Sequence, residues 1–335
     1  MTFQVARSLR DLGVFKALQA RAPRASSAEE LAADVGLTLY GVTVLLECGL
    51  GGGLVSLGDD DRWSITKTGW FIEHDPMTRA NMDFVHEVCW KPMLHLDAAI
   101  RDGKPSGLRE IEGKIAEGET VYDALAGLPD KTREAWLRFD HFYSDGAFER
   151  ALDVVLGTEP ARLVDLGANT GRFAQACLAR AGALEMVLAD LPNQLQMARR
   201  ELGKANLLAR ASFHPLDVRE AAAALPSGVD AVWMSQFLVC FSLEQVEAIL
   251  GKARAALAPG GSVWILDTFW DRQQHDIAAY CLVHSSPYFT AVANGVSRMY
   301  RATEIEGAAR RAGLVLAGAT DGLGLSHSLL RFAAA

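Results

Sequence analysis

The feature that most constrains this chain is an alternation running through its C-terminal half. Five apolar runs of strand length, Arg162–Leu166, Met186–Ala189, Ala211–Phe213, Ala231–Met234 and Ser262–Asp267, are separated by helical patterns at Gly171–Ala181, Asn193–Ala205, Val218–Ala224 and Leu243–Leu257. Strands alternating with helices at this pitch build βαβ units, whose parallel strands form one sheet with helices on its faces. A last helix, Thr303–Ala312, precedes the runs Leu314–Ala319 and Ser326–Phe332, expected as a closing pair of strands at the sheet edge. The expected fold class is therefore α/β, a Rossmann-like doubly wound sheet.

Such sheets bind ligands beyond the carboxyl ends of their strands, near the point where strand order reverses. The first strand runs into Asp165-Leu166-Gly167-Ala168-Asn169-Thr170-Gly171. Gly167 and Gly171 permit a tight turn and a close approach of main chain to a ligand. The spacing is GxxxG, without the lysine of a nucleotide-phosphate cradle. The second strand ends at Asp190-Leu191-Pro192, placing a carboxylate 19 residues past Gly171 where it can accept both hydroxyls of a ribose. Asp217 and Val218 follow the third strand, where an acid can accept from an adenine amino group. Ser235 and Gln236 follow the fourth, and Pro259-Gly260-Gly261 turns into the fifth, which ends at Asp267.

The N-terminal third reads differently. Val5, Leu9, Leu12, Phe15 and Leu18 recur at helical spacing. Ser27 with Glu30 forms a capping box for a second helix, Ala28 to Val35, and Thr38 caps a third through Cys48. Two short strand-like runs, Leu54–Leu57 and Arg62–Thr66, then flank the turn Gly58-Asp59-Asp60-Asp61, completing a winged-helix pattern. Charge argues against DNA. Residues 1–75 carry seven Lys/Arg and ten Asp/Glu, the wing tip is triply acidic, and Gly36 to Gly53 contains no Lys, Arg, Asn or Gln with which to read bases. A dimerisation module is the expected reading.

The whole chain of 335 residues, half hydrophobic and 22% charged with net charge −8, has the make-up of a globular protein, and neither nucleic acid nor membrane is expected as a partner. Its five cysteines are scattered and form no CxxC pair, and no HExxH occurs, so reduced thiols, no metal and a cytoplasmic location are expected. Between about residues 76 and 150 lie helices rich in Met82, Phe84, Trp90, Met93, Leu96, Trp136, Phe139, Phe142 and Phe148, interrupted by a polar loop from Asp102 to Glu119. After the fifth strand, Trp270 to Tyr300 carries Trp270, Asp271, Arg272, His275, His284, Tyr288, Phe289, Asn294, Arg298 and Met299, a mixture suited to an aryl pocket.

With these motifs in order, the sequence resembles the small-molecule O-methyltransferase family of class I methyltransferases, over nearly its whole length. LVDLGANTG resembles that family's first cofactor motif, LADLP its ribose-binding strand end, LDV its adenine-side motif and LAPGGSVWILD its last cofactor motif. The resemblance implies S-adenosyl-L-methionine as cofactor, with S-adenosyl-L-homocysteine as product. It implies cofactor-binding roles for Asp165, Gly167, Asn169, Gly171, Asp190, Leu191, Asp217, Val218, Ser235 and Gln236. It also implies a homodimer formed through the N-terminal domain and a small-molecule methyl acceptor, for which the aromatic Trp270–Tyr300 segment suggests an aromatic or phenolic one. The expected division is a winged-helix-like dimerisation domain at 1–100, a helical linker and substrate roof at 101–150, and the cofactor domain at 151–335.

One departure stands out. Where the family has Leu-His-Asp-Trp, with His as general base, this chain reads Leu238-Val239-Cys240-Phe241, and valine accepts no proton. A base then comes from elsewhere, with His141 and Tyr143 in Asp140-His141-Phe142-Tyr143 and His284 as candidates. Otherwise the acceptor is a carboxylate, a thioether sulfur or a ring carbon. A chain that binds the cofactor without transferring methyl, as a regulator, is the alternative.

Overall fold

A computed structural model describes all residues except 114, 117 and 118, and the side chain of residue 126. The chain divides into two compact units, Met1–His86 and Glu87–Ala335.

The first unit is helical with one hairpin. The expected first helix is broken into α1 (Thr2–Asp11) and α2 (Val14–Arg21) by Gly13, whose φ of 80° leaves the right-handed helical region. The Ser27–Glu30 capping box forms as expected and opens α3 (Ala28–Val35). Thr38 accepts from Gly41 N at the start of α4 (Leu39–Gly51), and such caps contribute about 1 kcal/mol each. The hairpin β1 (Val55–Leu57) and β2 (Trp63–Ile65) pairs antiparallel, and α5 (Lys67–His74) and α6 (Pro76–Phe84) follow. Leu9, Phe15, Leu18, Leu31, Val42 and Leu46 form the core. On α4, Tyr40, Val44 and Cys48, four residues apart, instead face outward.

In the second unit, α7 (Leu96–Asp102), α8 (Val121–Ala124) and the 27-residue α9 (Asp130–Leu156) precede the sheet. The expected loop 102–119 runs through residues 114, 117 and 118, which lie outside the described residues; its described part includes a 3-10 turn at Leu108–Glu110. Then come β3 (Arg162–Leu166), α10 (Arg172–Arg180), β4 (Glu185–Asp190), α11 (Pro192–Lys204), β5 (Ala211–Pro215), β6 (Val229–Ser235), α12 (Leu243–Ala256) and β7 (Leu257–Asp267). The chain ends with α13 (Asp276–Val283), α14 (Ser286–Tyr288), α15 (Ala302–Arg311), β8 (Leu314–Leu323) and β9 (His327–Ala334). The seven strands form one sheet in the order β5-β4-β3-β6-β7-β9-β8, the first five parallel and β9 antiparallel to both neighbours. All five expected parallel strands and the closing pair are present.

Strand alternation sends Val164, Val187, Val232 and Val263 to one face, against α12 and α15. Leu163, Met186, Trp233 and Trp264 go to the other face, against α9, α10 and α11. Both faces of the central strands β3, β4, β6 and β7 are covered, which is why these strands read as apolar runs. Phe173 of α10 stacks on Trp233, with ring centroids 3.9 Å apart and planes 4° from parallel.

The expected helix Val218–Ala224 is not formed. Asp217 turns its carboxylate back onto the Arg219 amide at 2.9 Å, and successive turns follow, Glu220 N to Asp217 O and Ala223 N to Glu220 O. This side-chain bond competes with helix initiation, and Leu225-Pro226 blocks extension beyond it. Among the described residues no single helix is long and apolar enough to cross a membrane.

Candidate active site at the strand ends

Sheet order reverses between β3 and β6: β4 and β5 lie on one side, β7 on the other. Loops leaving adjacent strands in opposite directions open a crevice there. The β3 loop turns through Gly167 (φ 79°), Asn169 (φ 47°) and Gly171 (φ 76°). The room these glycines leave is used by the chain's own side chains. A Cβ on Gly167 would sit 2.2 Å from the Phe237 ring, and one on Gly171 would sit 2.7 Å from Leu202.

Carboxylates gather at the strand tips. Asp190, ending β4, accepts from Asn169 N at 2.8 Å and Leu191 N at 2.7 Å, and burial nonetheless raises its pKa to about 6. Asp165 on β3 is buried; desolvation and the nearby Asp190 charge raise it to about 8. Asp267, ending β7, accepts from Thr268 N at 2.8 Å and is raised by burial to about 7. Among the described residues, Asp165 Oδ2, Asn169 Oδ1 and Ser235 Oγ are buried without a hydrogen-bond partner.

A fourth carboxylate comes from the helix α9. Asn169 Nδ2 donates to Asp140 Oδ2 at 3.3 Å, and Gln236 Nε2 donates to Asp140 Oδ1 at 3.2 Å. Gln236 also has a left-handed backbone, φ 49°, and its Oε1 accepts from His327 Nε2 at 2.8 Å. Non-glycine residues in this region carry a conformational cost, and they concentrate where a site needs a side chain aimed in one direction. Asp140 is raised to about 7, first by burial and then by Asp145, with Arg172 and the Asn169 bond opposing.

Beside Asp140 stands an aromatic wall. Trp136 Nε1 donates to the Tyr288 hydroxyl at 2.7 Å, and Tyr122 packs edge-on to Trp136 with centroids 6.3 Å apart. Tyr122 also hydrogen-bonds the Cys240 sulfur. Burial pushes both phenols well above their ordinary ionisation, and the Asp140 charge pushes them further. Tyr122 is held from outside: its neighbour Asp123 pairs with Arg219 at 2.7 Å, and Arg219 pairs with Asp217 at 2.7 Å. Cys240 occupies the 3-10 turn after β6. Val239, on the same turn, is 7% exposed and lines a small cavity with Asp267, Thr268, Phe269, Tyr300 and Ile305.

The residues named from sequence separate accordingly. Asp165, Gly167, Asn169, Gly171, Asp190, Leu191, Ser235 and Gln236 cluster at the ends of β3, β4 and β6. Asp217 and Val218 follow β5, with Asp217 engaged by Arg219. His141 borders the β3 loop, its Nε2 3.2 Å from Thr170 Oγ1, and burial lowers its pKa. Tyr143 packs edge-on against Phe139 and Phe142. His284 is not brought to the cluster. It is exposed at the end of α13, bonded through Nδ1 to Tyr280 O, with its ring tilted 32° against that of Tyr280.

In the 270–300 segment, Tyr288 joins the aromatic wall, whereas several polar neighbours fasten the fold. Asp271 accepts from Ala302 N, Arg272 pairs with Asp321, Arg298 with Glu304, and Asn294 bonds Cys240 O. Asp140, Tyr122, Trp136, Cys240 and His327 were not singled out as site residues from sequence. The only signal for Asp140 was a charged residue inside an aromatic helical stripe.

Known proteins resemble this chain over most of its length. A family model described as an O-methyltransferase domain matches residues 95–315, and one described as a Dimerisation2-like domain matches residues 1–63. L-tyrosine C(3)-methyltransferase of Streptomyces lavendulae is 22% identical over 268 residues, covering 79% of this chain and 71% of the relative. The apo structure of the S-adenosylmethionine-dependent methyltransferase SibL is 26% identical with a TM-score of 0.72, covering 99% of this chain and 96% of that one. The O-methyltransferase NcsB1 of neocarzinostatin biosynthesis, solved with S-adenosylmethionine and 2-hydroxy-5-methyl naphthoic acid, superimposes with a TM-score of 0.70 at 18% identity, covering 100% of this chain and 96% of that one.

Proposed function

Since the chain belongs to the O-methyltransferase family, and so is an S-adenosylmethionine-dependent methyltransferase, we propose that its acceptor is a phenolic small molecule held against Tyr122, Trp136 and Tyr288. The observation carrying this reading is the aromatic wall with a carboxyl group beside it at the sheet's reversal point. Aromatic faces with a few oriented polar groups suit a flat aryl ligand. Relatives acting on L-tyrosine or solved with a hydroxynaphthoic acid support the same class.

The chain's residues fit the cofactor. The ligand carries a sulfonium and an ammonium against one carboxylate, a net charge of +1. Asp165, Asp190 and Asp267 are carboxyls whose burial disfavours ionisation, and a bound cation offsets that cost. The unpartnered Asp165 Oδ2, Asn169 Oδ1 and Ser235 Oγ are acceptors suited to an ammonium or hydroxyl donor. Asp190, with Leu191 beside it, would hold the ribose hydroxyls. Asp217 and Val218 would flank the adenine, and Gly167, Asn169, Gly171, Ser235 and Gln236 the methionyl part. When bound, the cofactor supplies an electrophilic methyl group on sulfur, for which the protein provides alignment and desolvation. Wall residues orient the acceptor ring, and the buried phenols stay protonated and donate hydrogen bonds.

The exposed Tyr40, Val44 and Cys48 stripe on α4 supports a homodimer through the N-terminal unit, since the helix that would read DNA offers apolar groups in place of cations. Methyl transfer from radiolabelled S-adenosylmethionine to a panel of catechol, L-tyrosine, 3-hydroxybenzoate, 1,4-dihydroxy-2-naphthoate and aliphatic carboxylic acids tests the acceptor class. Turnover confined to the aliphatic acids would refute it.

A further inference from the structure

The family's base position is occupied here by a buried valine, so the proton leaving the acceptor needs another destination. His284 is exposed and turned onto its own helix, and His141 is turned toward Thr170. We propose that Asp140 is the general base, receiving the acceptor's phenolic proton on a carboxylate oxygen. This rests on the phenolic-acceptor reading.

Geometry carries the assignment. Asp140 is gripped by two side-chain amides from the tips of the two strands that flank the crevice, one on each oxygen. Each amide leaves its carboxylate oxygen with unused lone-pair capacity for an incoming hydroxyl. His327, buried and neutral with its pKa lowered to about 4, donates through Nε2 to Gln236, whose amide then donates to Asp140. His327 is therefore a positioning residue, fixing the amide's orientation so that N–H and not C=O meets the carboxylate. The charged and titratable groups around Asp140 are Asp145 and His141 on α9, Arg172 on α10, Tyr122 on α8, Cys240 after β6 and Tyr288 on α14. Arg172 is the cation among those acting on its charge, and it pairs with Asp145 at 2.7 Å, which leaves Asp140 protonating near neutrality, where a base works best.

In the step, the acceptor O–H bond breaks and its proton passes to Asp140. The oxygen, or the ring carbon made nucleophilic by it, bonds to the methyl carbon as the carbon–sulfur bond breaks, and that electron pair stays on sulfur. For ring-carbon attack, the proton at that carbon is lost afterwards to water as the ring regains aromaticity.

Three readouts test this on the full-length protein. S-adenosylhomocysteine affinity by calorimetry should change by less than about threefold in Asp140→Asn. With the panel phenol turned over fastest, kcat/KM of the wild type should rise between about pH 5.5 and 8.5, whereas Asp140→Asn should lose about 10²–10⁴-fold and the rising limb, with partial rescue in Asp140→Glu. In the S-adenosylhomocysteine complex, bound 4-nitrophenol should ionise at a higher pH in the wild type than in Asp140→Asn, because two anions side by side are disfavoured. Retention of the limb, an affinity loss beyond about tenfold, or an unshifted 4-nitrophenol ionisation would overturn the proposal. Failure of 4-nitrophenol to bind the wild-type complex would instead remove the phenolic-acceptor reading beneath it.

Discussion

Asn169 and Gln236, the left-handed residues following the adjacent strands β3 and β6, turn their side-chain amides onto the same carboxyl group, that of Asp140. The crevice is thus spanned by a hydrogen-bonded bridge from α9, and the groups proposed to meet cofactor and acceptor share one network.

Replacing Asp190 by Ala removes a carboxylate that organises the β3 loop through Asn169 N and is proposed to accept the ribose hydroxyls. With charge-assisted bonds contributing about 1.5–3 kcal/mol each, S-adenosylhomocysteine affinity is expected to fall at least about tenfold by calorimetry. Unchanged affinity would remove Asp190 from the site.

Stability should fall as pH rises from about 6.5 to 8. The carboxyls of Asp140, Asp165 and Asp267 are raised to about 7, 8 and 7, so the folded protein binds protons that the unfolded chain, with carboxyls near 3.8, has released. Their contribution is complete below the unfolded pKa and is lost as pH climbs through the folded values. His327, lowered to about 4, acts oppositely, but that effect is complete above about pH 6.5. Scanning calorimetry should show Tm declining across this window, and S-adenosylmethionine, being cationic, should protect more at the upper end than its neutral product. A Tm that rises from pH 6.5 to 8 would contradict the burial of these acids.

Placing a histidine at the proposed family base position, Val239→His, should not raise activity. Val239 is buried and lines the small cavity with Asp267, Thr268, Phe269, Tyr300 and Ile305, so a larger imidazole there overfills the space and is desolvated. We expect a loss of about 1–3 kcal/mol in stability, read from denaturant midpoints, with no gain in kcat.

Trp136→Phe keeps an aromatic face, though a smaller one, and deletes the indole N–H that holds the Tyr288 hydroxyl. A lost buried hydrogen bond of about 1 kcal/mol predicts a KM for the phenolic acceptor about fivefold higher, with S-adenosylhomocysteine affinity unchanged. Equal loss of both would place Trp136 outside the acceptor wall.

Tyr40→Glu with Val44→Glu puts two charges on the apolar stripe of α4 without touching the core formed by Val42 and Leu46. Light scattering should report a shift from dimer to monomer at unchanged helical content. A dimer that persists would place the interface elsewhere.

Local chemistry determined much of this fold. The Ser27–Glu30 capping box, the Thr38 cap, the five parallel strands and the closing antiparallel pair all follow from patterns within a few residues, because hydrogen-bonded caps and face-to-face burial impose short periods on the sequence. Where local patterns misled, a single side chain intervened: Gly13 divided the first helix, and Asp217 captured the Arg219 amide in place of a helix at Val218–Ala224. The strand-end acids were legible for the same reason, their positions following once the strands are known.

The proposed proton-accepting end of the site was a matter of tertiary structure alone. Asp140 meets Asn169, Gln236 and, through it, His327 across long stretches of chain, and Tyr288 meets Trp136 from 152 residues away. No sequence period encodes such pairings. Packing of α9 and α14 over the sheet decided which acid is bridged by the two amides and which aromatic side chains stand beside it.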